Sequence, residues 1–214
     1  MKIVVVDYDM GNVRSILNAF EHIGITPILS RDKDEILKAD GVVLPGVGAF
    51  AHGMKNLHMY GLVEVLQAYA KRDKPLLGIC LGMQMLLEES EEFGVTQGLG
   101  IVEGKVVKLP SEDNESEKLP HVSWNEIVSN SVWDHTILQG VSERVDMYFV
   151  HSYMAIPKEN DTILSTTQYA KSQFCSSLKK GNIYGCQFHP EKSGEIGLKI
   201  LKNFVTIVKE TKDV

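Results

Sequence analysis

A cysteine between glycines and a histidine followed two residues later by a glutamate are the residues most able to do chemistry. They lie in the runs Gly78-Ile79-Cys80-Leu81-Gly82 and Gln187-Phe188-His189-Pro190-Glu191. The first run follows an apolar strand and opens a helical pattern, which is typical of a nucleophile elbow with Cys80 as the nucleophile. His189 could accept the thiol proton, while Glu191 could fix the imidazole tautomer and stabilise its protonated form. The sequence therefore predicts a cysteine, histidine and glutamate triad.

A third run, Leu44-Pro45-Gly46-Val47-Gly48, ends another predicted strand and should lie at the same edge of the sheet. An ordinary glycine turn would explain this run by itself. Beside an elbow, however, its backbone N–H groups could stabilise an oxyanion. We expect the N–H of Val47 or Gly48 to act together with the N–H of Leu81, the residue after the nucleophile.

The composition favours one core and excludes several classes of partner. The 214 residues are 43% hydrophobic, so we expect residues 1–214 to form a single domain. A net charge of −6, without a basic stripe, argues against binding to nucleic acid or to an anionic membrane. The three cysteines lack C-x-x-C spacing, and no stretch resembles a signal peptide or a membrane span. We therefore expect a cytosolic protein with neither disulfide nor zinc.

Hydrophobic periodicity predicts an α/β protein with a mixed sheet. Strands and helices alternate in the first half, which indicates parallel strands with helical crossovers. The expected elements there are strands at 3–6, 25–29, 42–44 and 75–79 and helices at 13–23, 32–39, 61–71 and 82–88. Beyond residue 99, strand-like runs predict a mixed sheet, with strands at 101–109, 146–150 and 162–168 and a hairpin through 180–182.

Three further expectations concern the second half of the chain. A final amphipathic helix should bury one face, formed by Leu198, Leu201, Phe204, Val205 and Val208. The polar segment 111–118 should be a surface loop. Alternation along the last strand would place Gln187, His189 and Glu191 on one face, with Phe188 and a core Cys186 on the other.

These runs resemble the motifs of the class I (triad) glutamine amidotransferases. Residues 78–84 are similar to the nucleophile motif of that family, and residues 187–191 to its histidine and glutamate motif. The whole chain resembles the glutaminase subunits of imidazole glycerol phosphate synthase through further segments: Asp7-Tyr8 with Gly11-Asn12, Leu44 to Gly48, His121 with Trp124-Asn125, Tyr148 to Tyr153, and Glu191-Lys192-Ser193. The implied fold is a central, mostly parallel mixed sheet flanked by helices, with the elbow after a central strand.

The resemblance also implies an activity. The chain would hydrolyse L-glutamine to glutamate and ammonia through a thioester on Cys80, with no metal or other cofactor. Gly46, Gln84, Ser152 and Tyr153 would bind the glutamine. Without the family, Gln84 is equally well explained as a solvated residue in the first turn of a helix.

A partner is implied as well, because ammonia released into neutral water would be mostly protonated and would lose its nucleophilicity. In the family, a (β/α)₈ synthase subunit receives the ammonia, which predicts a heterodimer with Asn12, Trp124, Asn125 and Lys192 at the interface. Taken alone, Trp124 would be interpreted as a core aromatic residue. If the partner's ligand must reorder residues 45–48, the isolated chain would be nearly inactive.

Three positions depart from the common family pattern: Asp9 and Ser123 stand where glycine is usual, and Met154 where an aromatic residue often follows the tyrosine. All three lie near segments expected to face the synthase. A paralogous glutaminase that supplies another synthase, such as one amidating a surface-polysaccharide sugar, is therefore an alternative. The remaining alternatives are a cysteine peptidase or γ-glutamyl hydrolase, disfavoured by Met83-Gln84, and a non-catalytic subunit, disfavoured by the intact triad.

Overall fold

The structure, a computed structural model, describes residues 1–110 and 118–212. Apart from Lys118, the segment predicted to be a surface loop lies outside the described residues. No helix in the described ranges is both long and apolar enough to cross a membrane.

The amino-terminal half consists of parallel strands joined by helices, as predicted. Its strands are β1 (Ile3–Val6), β2 (Ile28–Ser30), β3 (Gly41–Leu44) and β4 (Leu76–Ile79), and its helices are α1 (Val13–His22), α2 (Lys33–Lys38), α3 (Phe50–Met59), α4 (Val63–Ala70) and α5 (Leu81–Met85). β1, β3 and β4 are buried along their whole length, as expected for parallel strands covered on both faces. The structure has two helices, α3 and α4, where the sequence analysis predicted only one.

The second half supplies the antiparallel strands and the last helix. These elements are β5 (Glu89–Ser90), β6 (Thr96–Gln97), β7 (Gly104–Lys108), β8 (His121–Ser129), β9 (Val145–His151), β10 (Tyr153–Pro157), β11 (Ile163–Tyr169), β12 (Ser172–Lys180), β13 (Ile183–Cys186) and α6 (Gly194–Lys212). They complete a nine-stranded sheet of order β2-β1-β3-β4-β13-β12-β11-β8-β9, while β10, β7, β5 and β6 form a second sheet. The long strand β8 was not predicted.

The order of the central strands explains why distant parts of the sequence meet. β4 pairs in parallel with β3 on one side and with β13 on the other. The predicted hairpin through residues 180–182 is confirmed, because β12 pairs antiparallel with β13. Since β3, β4 and β13 run in the same direction, their carboxyl ends lie side by side. These ends carry the residues predicted for the oxyanion site, the nucleophile and the other two triad members, respectively.

Helices cover both faces of the large sheet and form two apolar layers with it. One layer contains the buried residues of α1 and α6, and the other those of α2, α3 and α4. The predicted inner face of α6 is buried at Leu201, Phe204, Val205 and Val208, while Leu198 is only partly buried. The central strands are thus held from both sides, which gives the loops at their carboxyl ends a rigid support.

Candidate active site

Cys80 lies on a sharp turn between β4 and α5. Its φ of 53° and ψ of −111° belong to a region that residues with a side chain rarely adopt. The Cys80 N–H donates to the Cys186 carbonyl at 2.7 Å, which attaches the turn to β13. A Cβ atom at Gly82 would lie 1.9 Å from the Leu44 carbonyl oxygen, and one at Gly78 would lie 2.8 Å from the carbonyl carbon of Gly82. The two glycines therefore let the backbones of this turn pack in direct contact.

His189 and Glu191 form a buried pair close to this turn. His189 Nδ1 is 2.7 Å from Glu191 Oε1, and the two side chains are 2% and 1% exposed. The expected alternation of residues 186–191 along one strand is wrong, because β13 ends at Cys186 and Gln187, Phe188 and His189 are all buried. Glu191 instead belongs to a 3-10 turn, Pro190–Lys192. This turn, rather than strand geometry, brings the carboxylate back to the imidazole.

The surroundings of His189 fix its protonation chemistry. Burial by itself lowers the pKa of the imidazole, but interactions with Cys80 and Glu191 raise the pKa to about 10. His189 Nε2 is buried and has no hydrogen-bond partner among the described residues. Because Nδ1 is committed to Glu191, Nε2 is the atom that can exchange a proton with the Cys80 thiol.

Two polar groups approach the sulfur of Cys80. The Val150 carbonyl oxygen and Gln187 Nε2 each lie 3.8 Å from Sγ, the first as an acceptor and the second as a donor. The sequence motifs indicated no role for either residue. For Gln187, the only signal in the sequence was its position two residues before His189.

A cavity of about 250 Å³ opens in front of the sulfur. It is lined by Gly48, Cys80, Leu81, Gln84, Glu92, Phe93, Pro120, Val150, His151, Ser152 and Tyr153. The structure thus brings together the predicted nucleophile, three of the four residues expected to bind glutamine and two of the three expected oxyanion residues. Gly46 and Val47 are not among the described residues that line the cavity.

The loop after β3 is fixed at one end and exposed at the other. The Tyr8 hydroxyl donates to the Pro45 carbonyl at 2.6 Å, and a Cβ at Gly46 would lie 2.7 Å from that hydroxyl oxygen. Gly46 therefore packs directly against Tyr8 and Leu81, behind the cavity wall, where there is no room for a side chain. Val47 is 36% exposed, whereas Gly48, with φ at 97°, reaches the cavity. This placement favours Gly48 over Val47 as a residue facing the substrate.

Gln84 is a buried residue that braces the cavity wall. Only 6% of it is exposed, so the alternative of a solvated residue in the first helical turn is wrong. Its Nε2 donates to the Tyr153 carbonyl and to Gln187 Oε1, both at 2.9 Å. Both amide hydrogens are thus used within the protein, and its carbonyl oxygen is the group left for a ligand.

Two buried histidines, which the sequence analysis did not assign to the site, lie behind the same wall. His151 lines the cavity, and its Nδ1 is 2.9 Å from the Tyr153 carbonyl oxygen. Its Nε2 is 3.0 Å from His121 Nδ1. Burial lowers the pKa of His121 and lowers that of His151 to about 3. Both imidazoles are therefore neutral near pH 7.

The residues predicted at the partner interface fall into two groups. Trp124 is 52% exposed on β8, which makes the interpretation as a core aromatic residue wrong. Its ring meets Tyr148 edge to face at 5.8 Å, and Lys192 Nζ is 5.6 Å from the same Tyr148 ring. These three side chains form one surface patch, which we call the Trp124 patch; Trp124 and Lys192 are exposed and Tyr148 is half-buried. Asn125 and Asn12 are not part of it: Asn125 faces inward, with its side-chain amide 2.7 Å from His121 Nε2, and Asn12 is half-buried at the start of α1.

The other two cysteines offer no competing reactive site. Cys175 and Cys186 are free and buried, as expected for Cys186, and burial raises the pKa of both thiols. Within the described ranges, no group of three or more His, Cys, Asp or Glu side chains could hold a metal ion.

Comparisons with known proteins point to one family. The model of the class-I glutamine amidotransferases matches residues 4–208. The imidazole glycerol phosphate synthase subunit HisH 1 of Legionella pneumophila (strain Lens) is 46% identical over 208 residues, covering 95% of this chain and 98% of that protein. The subunit HisH of Methanosarcina barkeri is 44% identical over 204 residues, with coverage of 95% and 98%.

A solved structure shares the fold. A putative GMP synthase component from Thermoplasma acidophilum superposes with a TM-score of 0.73 at 21% identity, covering 100% of this chain and 96% of that one. The chain belongs to the class-I glutamine amidotransferase family and, within it, groups with the HisH subunits of imidazole glycerol phosphate synthase.

Proposed function

We propose that this chain is the glutaminase subunit of an imidazole glycerol phosphate synthase, which hydrolyses L-glutamine and supplies the ammonia for a step of histidine biosynthesis. The observation that supports it best is the position of the Cys80 sulfur, which faces a cavity of about 250 Å³ beside the buried His189–Glu191 pair. A nucleophile, a base with one free nitrogen and a carboxylate that orients the base are the parts that acyl transfer needs.

The first half of the reaction forms a thioester. His189 Nε2 takes the thiol proton, and the sulfur attacks the side-chain amide carbon of glutamine. The negative charge that develops on the amide oxygen is stabilised by the backbone N–H of Leu81 together with that of Gly48 or Val47. When the tetrahedral intermediate collapses, the C–N bond breaks. His189 Nε2 then donates its proton to the departing nitrogen, which leaves as ammonia.

The second half returns the enzyme to its starting state. His189 Nε2 accepts a proton from water, and the resulting hydroxide adds to the thioester carbon. The C–S bond then breaks and releases glutamate, while the proton returns to the sulfur. Glu191 stays ionised throughout and stabilises the imidazolium that forms in each half.

Groups around the cavity complement the rest of the glutamine molecule. Ser152, Tyr153 and the free amide oxygen of Gln84 line the wall, and they supply polar atoms for the substrate. Glu92 adds a carboxylate, which suits the α-ammonium group of an amino acid. One of its oxygens accepts from the Phe50 N–H at 2.6 Å, which holds this side chain in place. Gly46 contributes by letting the loop pack closely behind the cavity.

The proposed partner is a (β/α)₈ synthase subunit that forms a heterodimer with this single-domain chain in the cytoplasm. The Trp124 patch is the part of the predicted interface that places an exposed tryptophan beside a tyrosine, two residue types enriched in interface hot spots. Asn12 and Asn125 stay in the proposed interface at its edge. A docked synthase would receive ammonia before water protonates it.

The test measures glutamate release from glutamine by the purified chain, alone and with an imidazole glycerol phosphate synthase barrel plus its nucleotide ligand. We expect strong stimulation by the barrel, lost in Cys80→Ala and weakened in Trp124→Ala. A matched control is Val132→Ala, which also removes an exposed apolar side chain but lies outside the Trp124 patch. A folded chain that releases glutamate in none of these mixtures would refute the proposal. Stimulation only by a different synthase would favour the paralogous glutaminase.

A further inference from the structure

A chain of hydrogen bonds leads from the Cys80 sulfur to strand β8 without passing through His189 or Glu191. It runs through Gln187, Gln84, the Tyr153 carbonyl, His151 and His121. The four side chains in this chain of hydrogen bonds, of which His121 is the first residue of β8, are between 0% and 6% exposed. The proton transfers proposed above use none of them. Buried polar side chains that are hydrogen-bonded to one another in this way are held in one arrangement.

The Tyr153 carbonyl fixes the orientation of its neighbours, because a backbone oxygen can only accept hydrogen bonds. It lies 2.9 Å from Gln84 Nε2 and 2.9 Å from His151 Nδ1. Gln84 must therefore turn its NH₂ group toward this oxygen. For the same reason, His151 must carry its proton on Nδ1.

The orientation of Gln84 then determines that of Gln187. The second hydrogen of the Gln84 amide points at the Gln187 amide, 2.9 Å away, and needs an acceptor there. That atom is Gln187 Oε1, so the other end of the Gln187 amide, an NH₂ group, faces the Cys80 sulfur at 3.8 Å. A flipped Gln187 would set two donors against each other. The network thus makes Gln187 a donor to the sulfur.

A hydrogen-bond donor beside the sulfur affects the thiol and the thiolate of Cys80 differently. An N–H group beside a thiolate stabilises the negative charge, because hydrogen bonds to the charged form favour that form. The Val150 carbonyl has the opposite preference, since it accepts from the thiol but repels the thiolate. Gln187 is therefore the polar neighbour on this side of the sulfur that is suited to the attacking species.

The other end of the chain holds the Tyr153 carbonyl in place. With its proton on Nδ1, neutral His151 must accept at Nε2, so His121 Nδ1 donates across 3.0 Å. His121 Nε2 then needs a donor. The side-chain amide of Asn125, 2.7 Å away, supplies it with its NH₂ end toward the ring, and the Ser123 hydroxyl lies 2.9 Å from the same nitrogen. Ser123 stands next to Trp124 on β8, so the network begins beside the surface proposed for the partner.

We propose that Gln187 binds the thiolate form of Cys80, and that Gln84, the Tyr153 carbonyl and the His121–His151 pair are positioning groups that keep the Gln187 amide in its donating orientation. The kinetic part of this inference rests on the proposed glutaminase function. Alkylation of the sulfur, by contrast, reports the thiolate without any substrate.

The first experiment compares wild type with Gln187→Met, which keeps the length of the side chain but removes the N–H donor. The rate of Cys80 alkylation by iodoacetamide is followed across pH by mass spectrometry of the Cys80 peptide. We expect about a tenfold slower reaction at pH 7 and a midpoint about one pH unit higher, as for one lost hydrogen bond to a charged group. With the partner present, kcat should fall by about the same factor while KM changes little.

The control is Thr167→Val, because Thr167 is buried with a hydroxyl that has no hydrogen-bond partner among the described residues. It removes a buried polar atom outside the network, and its alkylation profile should match wild type. A folded Gln187→Met chain with the wild-type profile would overturn the proposal.

A second pair of variants tests the positioning groups. If Gln187→Met does not fold, this pair alone tests the proposal. His151→Asn can still donate to the Tyr153 carbonyl, because its amide nitrogen takes the place of Nδ1, whereas His151→Leu cannot. We expect the Leu variant to slow alkylation at pH 7 by about threefold or more, and the Asn variant to restore the rate. Equal rates in all three chains would contradict the inference. An altered profile in chains without glutaminase activity would support it and refute only the proposed function.

Discussion

Replacing Gly82 by alanine should push the loop after β3, residues 45–48, away from Cys80. The added Cβ would lie 1.9 Å from the Leu44 oxygen, 2.8 Å from the Leu44 carbon and 3.1 Å from the Pro45 oxygen. An ordinary contact between carbon and oxygen is about 3.3 Å, so the two backbones must move apart by about 1.4 Å. Every atom met is backbone, so no side chain can turn aside to relieve the contact.

The expected losses of stability and of kcat follow from that displacement. Overpacking of this kind costs about 1–3 kcal/mol of stability. A misplacement of about 1 Å in a catalytic site can cost about a hundredfold in rate, and we expect that loss in kcat for Gly82→Ala. Leu44 leads directly into the residues that we propose bind the substrate oxygen, whereas Cys80 stays attached to β13. The alkylation rate of Cys80 should therefore change far less than kcat.

The assay measures partner-stimulated glutamate release, alkylation of Cys80 and the free energy of unfolding in urea. Gly24→Ala is the matched control, since Gly24 has φ at 80° but nothing within 4 Å of the added Cβ. It should lose about 1 kcal/mol from backbone strain and keep wild-type kcat. A Gly82→Ala chain that kept kcat within about twofold of wild type, or whose alkylation rate fell as far as its kcat, would contradict this prediction.

Other predictions concern the triad and the support of the loop. Glu191→Gln should lower kcat by about tenfold to a hundredfold, because it replaces a charge-assisted hydrogen bond with a neutral one; glutamate release measures this. Cys80→Ala should lower the pKa of His189 from about 10, since Cys80 helps to raise it and burial lowers it; the imidazole signals in a pH titration by NMR measure this. Tyr8→Phe should cost about 1–2 kcal/mol and lower kcat, because the Pro45 carbonyl loses its donor; urea unfolding and kinetics measure this.

Each of these predictions has an outcome that contradicts it. A wild-type kcat in Glu191→Gln would show that the carboxylate charge does not contribute to the reaction. An unchanged His189 titration in Cys80→Ala would mean that the sulfur and the imidazole do not interact. A Tyr8→Phe chain with normal stability and activity would show that the hydroxyl does not support the loop.

The alternation of elements and the glycine-flanked cysteine were sufficient to predict the parallel half of the sheet and the elbow. The convergence of Cys80 with His189 could only be inferred, because it depends on β13 pairing beside β4, a contact between residues more than a hundred positions apart. The strand β8 was missed because its alternating polar residues do not point to solvent. His121 and Ser123 face inward and pair with each other, while Val122 and Trp124 are exposed.

The position of residues 187–191 shows a second limit. Strand alternation placed Glu191 on the same face as His189, but the chain turns after Cys186 and a 3-10 turn brings the two side chains together. Local pattern cannot show such a turn when the residues before it are all buried. Gln84 was ambiguous for a related reason: its burial follows from contacts with Tyr153 and Gln187, both of which are distant in sequence.

At Cys80, the substitution that would relieve the backbone strain would also remove the thiol. A residue with a side chain at φ of 53° costs on the order of 1–3 kcal/mol relative to a relaxed backbone, and glycine would avoid most of that cost. Engineering guided by thermostability alone would therefore favour glycine at position 80 and would remove the proposed nucleophile. In evolution, the buried strands β3, β4 and β13 must offset this cost, so we expect them to tolerate fewer substitutions than the strands at the sheet edges.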